Sequence, residues 1–127
     1  MRKIVLLLGF TLFVIFAFGQ TEKENYKTVV NEFEKNYNSK DYEAIFSTFA
    51  QEMKDALPLD KTKEFFMGLN QQVGDIKERE FVGYEQSYAA YKTTFEKIVF
   101  LLLLSVDDAS KINGMFIRPY VEDNSPK

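Results

Sequence analysis

"IVFLLLLSVDD", residues 98–108, is the stretch whose reading decides the fold. Residues 98–106 are apolar except for Ser105, and the run stops at Asp107 and Asp108. Nine residues reach about 30 Å as a strand and about 14 Å as a helix. The helix would fall far short of a bilayer, and a lone strand leaves its backbone unsatisfied there. The run is therefore expected to be the central strand of a sheet, with "DDAS" (107–110) turning the chain into a last strand at 111–118. Working backward, "DIKEREFVGYEQSYAAYKTTFEK" is rich in aromatic and β-branched residues, which predicts strands near 76–86 and 88–96. Gly83 and Gly114 fall inside these strands and mark bulges or bends.

Upstream of the strands the apolar period changes from two to about four. Tyr26, Val29, Val30, Phe33 and Tyr37 form one stripe, and Tyr42, Ile45, Phe46 and Phe49 form a second. Met53, Ala56 and Leu57 either continue the second helix or start a short separate turn, and Pro58 ends it. Phe65, Phe66, Leu69 and Val73 define a third helix. Asp60 is expected to cap it at its start, and Gly74 to follow its end. Ser39 or Asp41 is the expected cap of the second helix. Three helices followed by four consecutive strands predict an α+β domain, with the helices on one face of a curved antiparallel sheet.

The N-terminus is a different kind of sequence. Arg2 and Lys3 precede an apolar stretch at 4–18, and Ala17 and Gly19 supply small residues just ahead of Gln20. This is the three-part pattern of a secretory signal, with cleavage expected before Gln20 and export to the periplasm or beyond. The expected organisation is a signal peptide at 1–19, one α+β domain at 20–120, and a polar tail at 121–127. No membrane attachment is expected once the signal is removed.

Composition narrows the chemistry. The chain of 127 residues carries a net charge of −3, and loss of Arg2 and Lys3 makes it more acidic, which disfavours nucleic acid as a partner. It has no His, Cys or Trp. Histidine-based triads, thiolate nucleophiles, disulfides and His- or Cys-ligated zinc are therefore excluded. Acid–base catalysis would fall to groups such as Asp41, Glu64, Tyr42, Tyr84 and Tyr91, each with a simpler role as cap, solvated residue or core. Calcium-type oxygen ligands occur at Asp107, Asp108 and Ser110 and at Glu122, Asp123 and Asn124, without the spacing of a calcium loop. No catalytic residue, metal or cofactor is expected. In "KERE" (77–80), Lys77 and Arg79 alternate with Glu78 and Glu80, as on an exposed strand end.

Three segments together resemble a known family: "FEKNYNSKDYEAIFSTFAQEMKDALP", "FFMGLNQQVGDI" and "YAAYKTTFEKIVFLLLLSVDDASKINGMFIRP". They match an uncharacterised secreted bacterial domain at Asp41, Tyr42, Ile45 and Phe49, at Gly74, and at Lys111, Ile112, Gly114 and Pro119. The resemblance spans roughly residues 26–120. It implies a cone fold similar to the cystatin-like and nuclear-transport-factor-like domains, and a family often found ahead of hydrolase or peptidase modules. It implies no catalytic residues.

The central strand leaves a question. A sheet covered on one side should alternate apolar and polar residues, yet Val99, Leu101 and Leu103 are as apolar as their neighbours. These three, with Met115 and Ile117, are expected to form an outer interaction face for a second copy or a neighbouring protein domain, unless the sheet wraps to bury both faces. The leading expectation is thus a non-catalytic interaction module. The alternative is a small apolar ligand held between helices and sheet by Phe46, Phe66, Tyr84, Tyr91 and Phe100.

Overall fold

A computed structural model of the chain describes residues 21–121. The predicted signal peptide and all of the polar tail beyond Val121 lie outside the described residues. The order is α1 (Glu24–Asn38), α2 (Tyr42–Ser47), α3 (Gln51–Ala56), α4 (Leu59–Val73), then β1 (Ile76–Glu85), β2 (Tyr88–Phe95), β3 (Val99–Val106) and β4 (Ile112–Pro119). The strands form one open antiparallel sheet in the order β1-β2-β3-β4. The α+β class and the meander match the sequence reading, and "IVFLLLLSVDD" is an interior strand of the sheet. Among the described residues, no helix is long and apolar enough to cross a membrane.

Among the described residues there are four helices, because residues 51–56 form a short helix of their own, the alternative to a longer second helix. Residues 48–50 break the second helix because they are recruited by the sheet. The Ala50 N–H donates to the Ile112 carbonyl (2.8 Å), and the Ile112 N–H donates to the Thr48 carbonyl (2.9 Å), a one-residue parallel bridge between Phe49 and Ile112. Asp41 does cap α2, its carboxylate accepting from the Ala44 N–H at 3.2 Å. Asp60 does not cap α4; the helix begins at Leu59 after Pro58, which leaves Asp60 in the first turn where its charge favours the helix dipole. Gly74 ends α4 with φ at 87°, and a Cβ there would meet the Glu96 side chain at 2.7 Å. Only glycine is comfortable on both counts.

One face of the sheet meets the helices. Tyr26, Val30, Phe33 and Tyr37 of α1, Ile45, Phe49 and Phe66, and the strand residues Ala89, Tyr91, Phe95, Leu102 and Leu104 make a continuous buried core. The aromatic side chains meet largely edge to face: Tyr37 lies against Phe95 (5.7 Å) and Phe66 (6.3 Å), and Phe81 against Tyr91 (5.6 Å). The space between helices and sheet is filled by side chains, and Tyr37, Tyr91, Phe49 and Phe66 are the largest fully buried ones.

Candidate functional site

Register decides which side chains share a face. Leu102 pairs with Ile117 and Leu104 with Met115, so Met115 and Ile117 point to the helix side, where they pack against the core. Leu101 pairs with Arg118 and Leu103 with Phe116, and these occupy the outer side. The expected grouping of Met115 and Ile117 with Val99, Leu101 and Leu103 is therefore corrected. The cause is a bulge. Val106 pairs with Ile112 but Ser105 with Gly114, so Asn113 is an extra residue and the in–out parity of β4 inverts after it.

Among the described residues, the outer face is covered by strand side chains and by no helix. Tyr88 on β2 and Phe116 on β4 bring their rings within 5.3 Å of each other above β3. Tyr88 lies over Gly114, where a Cβ would fall 2.9 Å from two of its ring carbons. Beneath these rings Leu103 is only 3% exposed. Lys92 on β2 reaches the ring of Tyr120 (5.1 Å), again across β3. The Arg118 guanidinium donates to both oxygens of the Glu85 carboxylate (2.9 and 2.8 Å), linking the first and last strands. Cross-strand bridges of aromatic and long charged side chains thus roof this face, and Val99 and Leu101 are half-buried.

The two edges of the sheet are treated differently. The β1 edge carries Lys77, Glu78, Arg79 and Glu80 in succession and two irregularities, at Lys77 and Val82. Its first residue is plugged: the Asn38 amide accepts from the Ile76 N–H (2.8 Å) and donates to its carbonyl (3.0 Å). Arg79 is not an exposed strand end. It turns to the helices, hydrogen bonded to Glu34 and Asn31 and lying over the ring of Tyr91 (5.8 Å). Charge, bulging and plugging are the usual protections of an edge strand.

The β4 edge lacks these devices over most of its length. The Tyr120 N–H donates inward to the Val99 carbonyl (3.4 Å). Strand alternation then turns the backbone groups of Arg118 and Phe116 toward β3, and those of Met115 and Ile117 away from it. No described residue pairs with these outward groups. Residues 48–50 block the edge only at Ile112, and Pro119, which has no N–H, closes the far end. The side chains of Met115 and Ile117 border an apolar groove of about 190 Å³, completed by Met53, Leu57, Phe65 and Phe66. Phe116, 58% exposed, flanks the same edge on the outer side.

The residues expected to line a ligand pocket are dispersed. Phe66 is buried among Phe33, Tyr42 and Phe65. Tyr91 donates its hydroxyl to Glu22 (2.8 Å). Tyr84 packs on Tyr26 and Phe81 and accepts from the Lys23 N–H (3.0 Å). Phe100 lies against Phe95, and Phe46 against Phe49. Burial pushes the Tyr91 phenol well above the ordinary tyrosine range, with its hydrogen bond to Glu22 adding to the effect, and raises Tyr37 to about 12. Asp41 is spent on its cap and Glu64 lies on the surface beside Lys61 (3.7 Å). A wider groove of about 460 Å³ beside α2 and α4 sets Tyr42 and Met67 among charged and amide residues, some of them paired, Glu43 with Lys63 (3.9 Å) and Asn70 with Asp75 (2.8 Å). Asp107 holds its turn by accepting from the Ala109 and Lys111 N–H groups (both 2.9 Å). Sequence reasoning did not single out "NGMFIRP" as an edge strand with a single charge.

Residues 30–115, well over half of the chain, match the family described as "Protein of unknown function (DUF3887)". Comparison with curated proteins and with solved structures found no match.

Proposed function

The chain belongs to the DUF3887 family of proteins of unknown function, and we propose that it is a non-catalytic interaction module that docks an extended protein segment along the β4 edge. The observation that carries this is the asymmetry of the sheet. β1 is charged along its edge, twice bulged and plugged at its first residue. β4, blocked only at Ile112 and Pro119, is largely apolar between them, with outward backbone groups at Met115 and Ile117 that no described residue pairs. An incoming strand gains ladder hydrogen bonds from that backbone and places alternate side chains in the Met53, Leu57 and Phe66 groove. The leader at 1–19 sends the module out of the cytoplasm, where a chain without Cys depends on packing alone. The cone-fold likeness to cystatin-like and nuclear-transport-factor-like domains, and linkage to hydrolase or peptidase modules, remain part of the same reading.

Selection from a library of random extended peptides tests it. Alternating apolar sequences should be enriched, and binding should be lost in Met115→Pro, which removes one outward N–H that no described residue uses. Absence of enrichment, or binding that survives this substitution, refutes the reading. The exported protein should begin at Gln20 by intact mass; a mass that retains residues 1–19 refutes cleavage.

A further inference from the structure

Resting on the β4 edge as the docking site, we infer that its occupant is a second copy of this chain, paired β4 to β4 in antiparallel orientation about a two-fold axis at Phe116. The edge is self-complementary in this one register. With Phe116 opposite its own counterpart, Met115 of each copy lies opposite Ile117 of the other. These are the outward-facing residues, so each pair exchanges both backbone hydrogen bonds. Shifting the axis to Ile117 would set Met115 against Pro119, which has no N–H to give. Shifting it to Met115 would set Ile117 against the bulged Asn113. Only the Phe116-centred ladder keeps its full set of bonds.

The surroundings fit the same arrangement. In this register Tyr120 of one copy comes opposite Ile112 of the other, where residues 48–50 already sit, so the shared ladder is confined to residues 114–118. The only charged side chain between Asn113 and Pro119 is Arg118, and Glu85 already neutralises it. Two copies therefore meet without like-charge repulsion, whereas a solitary sheet edge normally carries a charge to prevent such pairing. The exposed Phe116 rings come together on the outer side, and each copy's Met115 and Ile117 meet on the groove side. The product is one eight-stranded sheet across two chains.

The interface is short, so association in the micromolar range is expected. Sedimentation velocity of the chain lacking residues 1–19, from micromolar to millimolar concentration, should show monomer passing to dimer. Phe116→Lys and Met115→Pro should each weaken the dimer at least tenfold, with the fold of each variant checked by circular dichroism. Leu101→Lys, on the roofed face, should leave the dimer intact. The chain has no Cys, so Phe116→Cys supplies a clean second readout. A non-hydrogen-bonded antiparallel pair holds its Cα atoms about 4.5 Å apart, within disulfide reach. Phe116→Cys should cross-link rapidly under mild oxidation, and Val82→Cys, on the other edge, should not. A wild type that stays monomeric at millimolar concentration, or a dimer that survives both edge substitutions, overturns the inference. If the chain stays monomeric while library peptides still bind the edge, the occupant is wrong and the docking site stands. If neither binds, both fall.

Discussion

Leu103→Ala distinguishes a sheet face roofed by its own chain from one that waits for a partner. Leu103 is on the side away from the helices, yet it is 3% exposed in the isolated chain because Tyr88 and Phe116 close over it. The substitution removes three carbon atoms. At about 0.8 kcal/mol per buried methylene this is about 2.4 kcal/mol of lost transfer free energy. Incomplete collapse of the roof adds a cavity term, for a total of about 2–4 kcal/mol. For a domain of this size the melting temperature should drop on the order of 10–25 °C. Urea unfolding in dilute solution measures the cost directly. The loss should be present in full at the lowest concentration and should not grow with concentration. A cost below about 0.5 kcal/mol, typical of an exposed site, would refute the self-roofed face.

The same roof predicts coupling between Gly114 and Tyr88. Gly114→Ala should cost about 1–3 kcal/mol by displacing the Tyr88 ring, and most of that cost should vanish in a Tyr88→Ala background, as a double-mutant cycle of unfolding energies would show. The Tyr37 phenol, raised to about 12 by burial while its hydroxyl donates to the Gly74 carbonyl, gives an alkaline signature. Below the unfolded value near 10 its contribution is whole. As pH rises from about 10 to 12 the unfolded chain releases this proton first, so stability falls by about 2–3 kcal/mol. Tyr37→Phe should flatten that part of the pH–stability curve; an unchanged slope would count against it. Arg79→Ala should cost about 1–3 kcal/mol, because it strands Glu34 and Asn31 and uncovers the Tyr91 ring; a neutral result in chemical denaturation would place Arg79 among solvated surface charges.

Much of the fold was legible because it is written locally. Turn residues bound each strand, Gly74 by its backbone and Asp41 by its carboxylate punctuate two helices, and the apolar stripe of α1 carries its burial in its spacing. What escaped depends on distant partners. Nothing near Phe49 announces that residues 48–50 will leave the helix, because the groups that draw them away belong to Ile112. Gly114 flags an irregularity in β4 but not which residue is extra, and that single residue decides the side on which Met115 and Ile117 emerge. The roof likewise joins Tyr88 to Phe116 and Glu85 to Arg118, pairs created only by strand order and twist. The difference between the two sheet edges was legible from charge alone. β1 carries four successive charged residues, whereas β4 has one, close to its end.

Amide hydrogen exchange at Met115 and Ile117, followed as a function of protein concentration, tests the central claim most directly. In dilute solution these two N–H groups should exchange orders of magnitude faster than those of Phe116 and Arg118, which face β3. At high concentration all four should become comparably protected. Protection of Met115 and Ile117 that is independent of concentration would mean that the chain itself satisfies them. Fast exchange at every concentration would mean that no second copy pairs with β4.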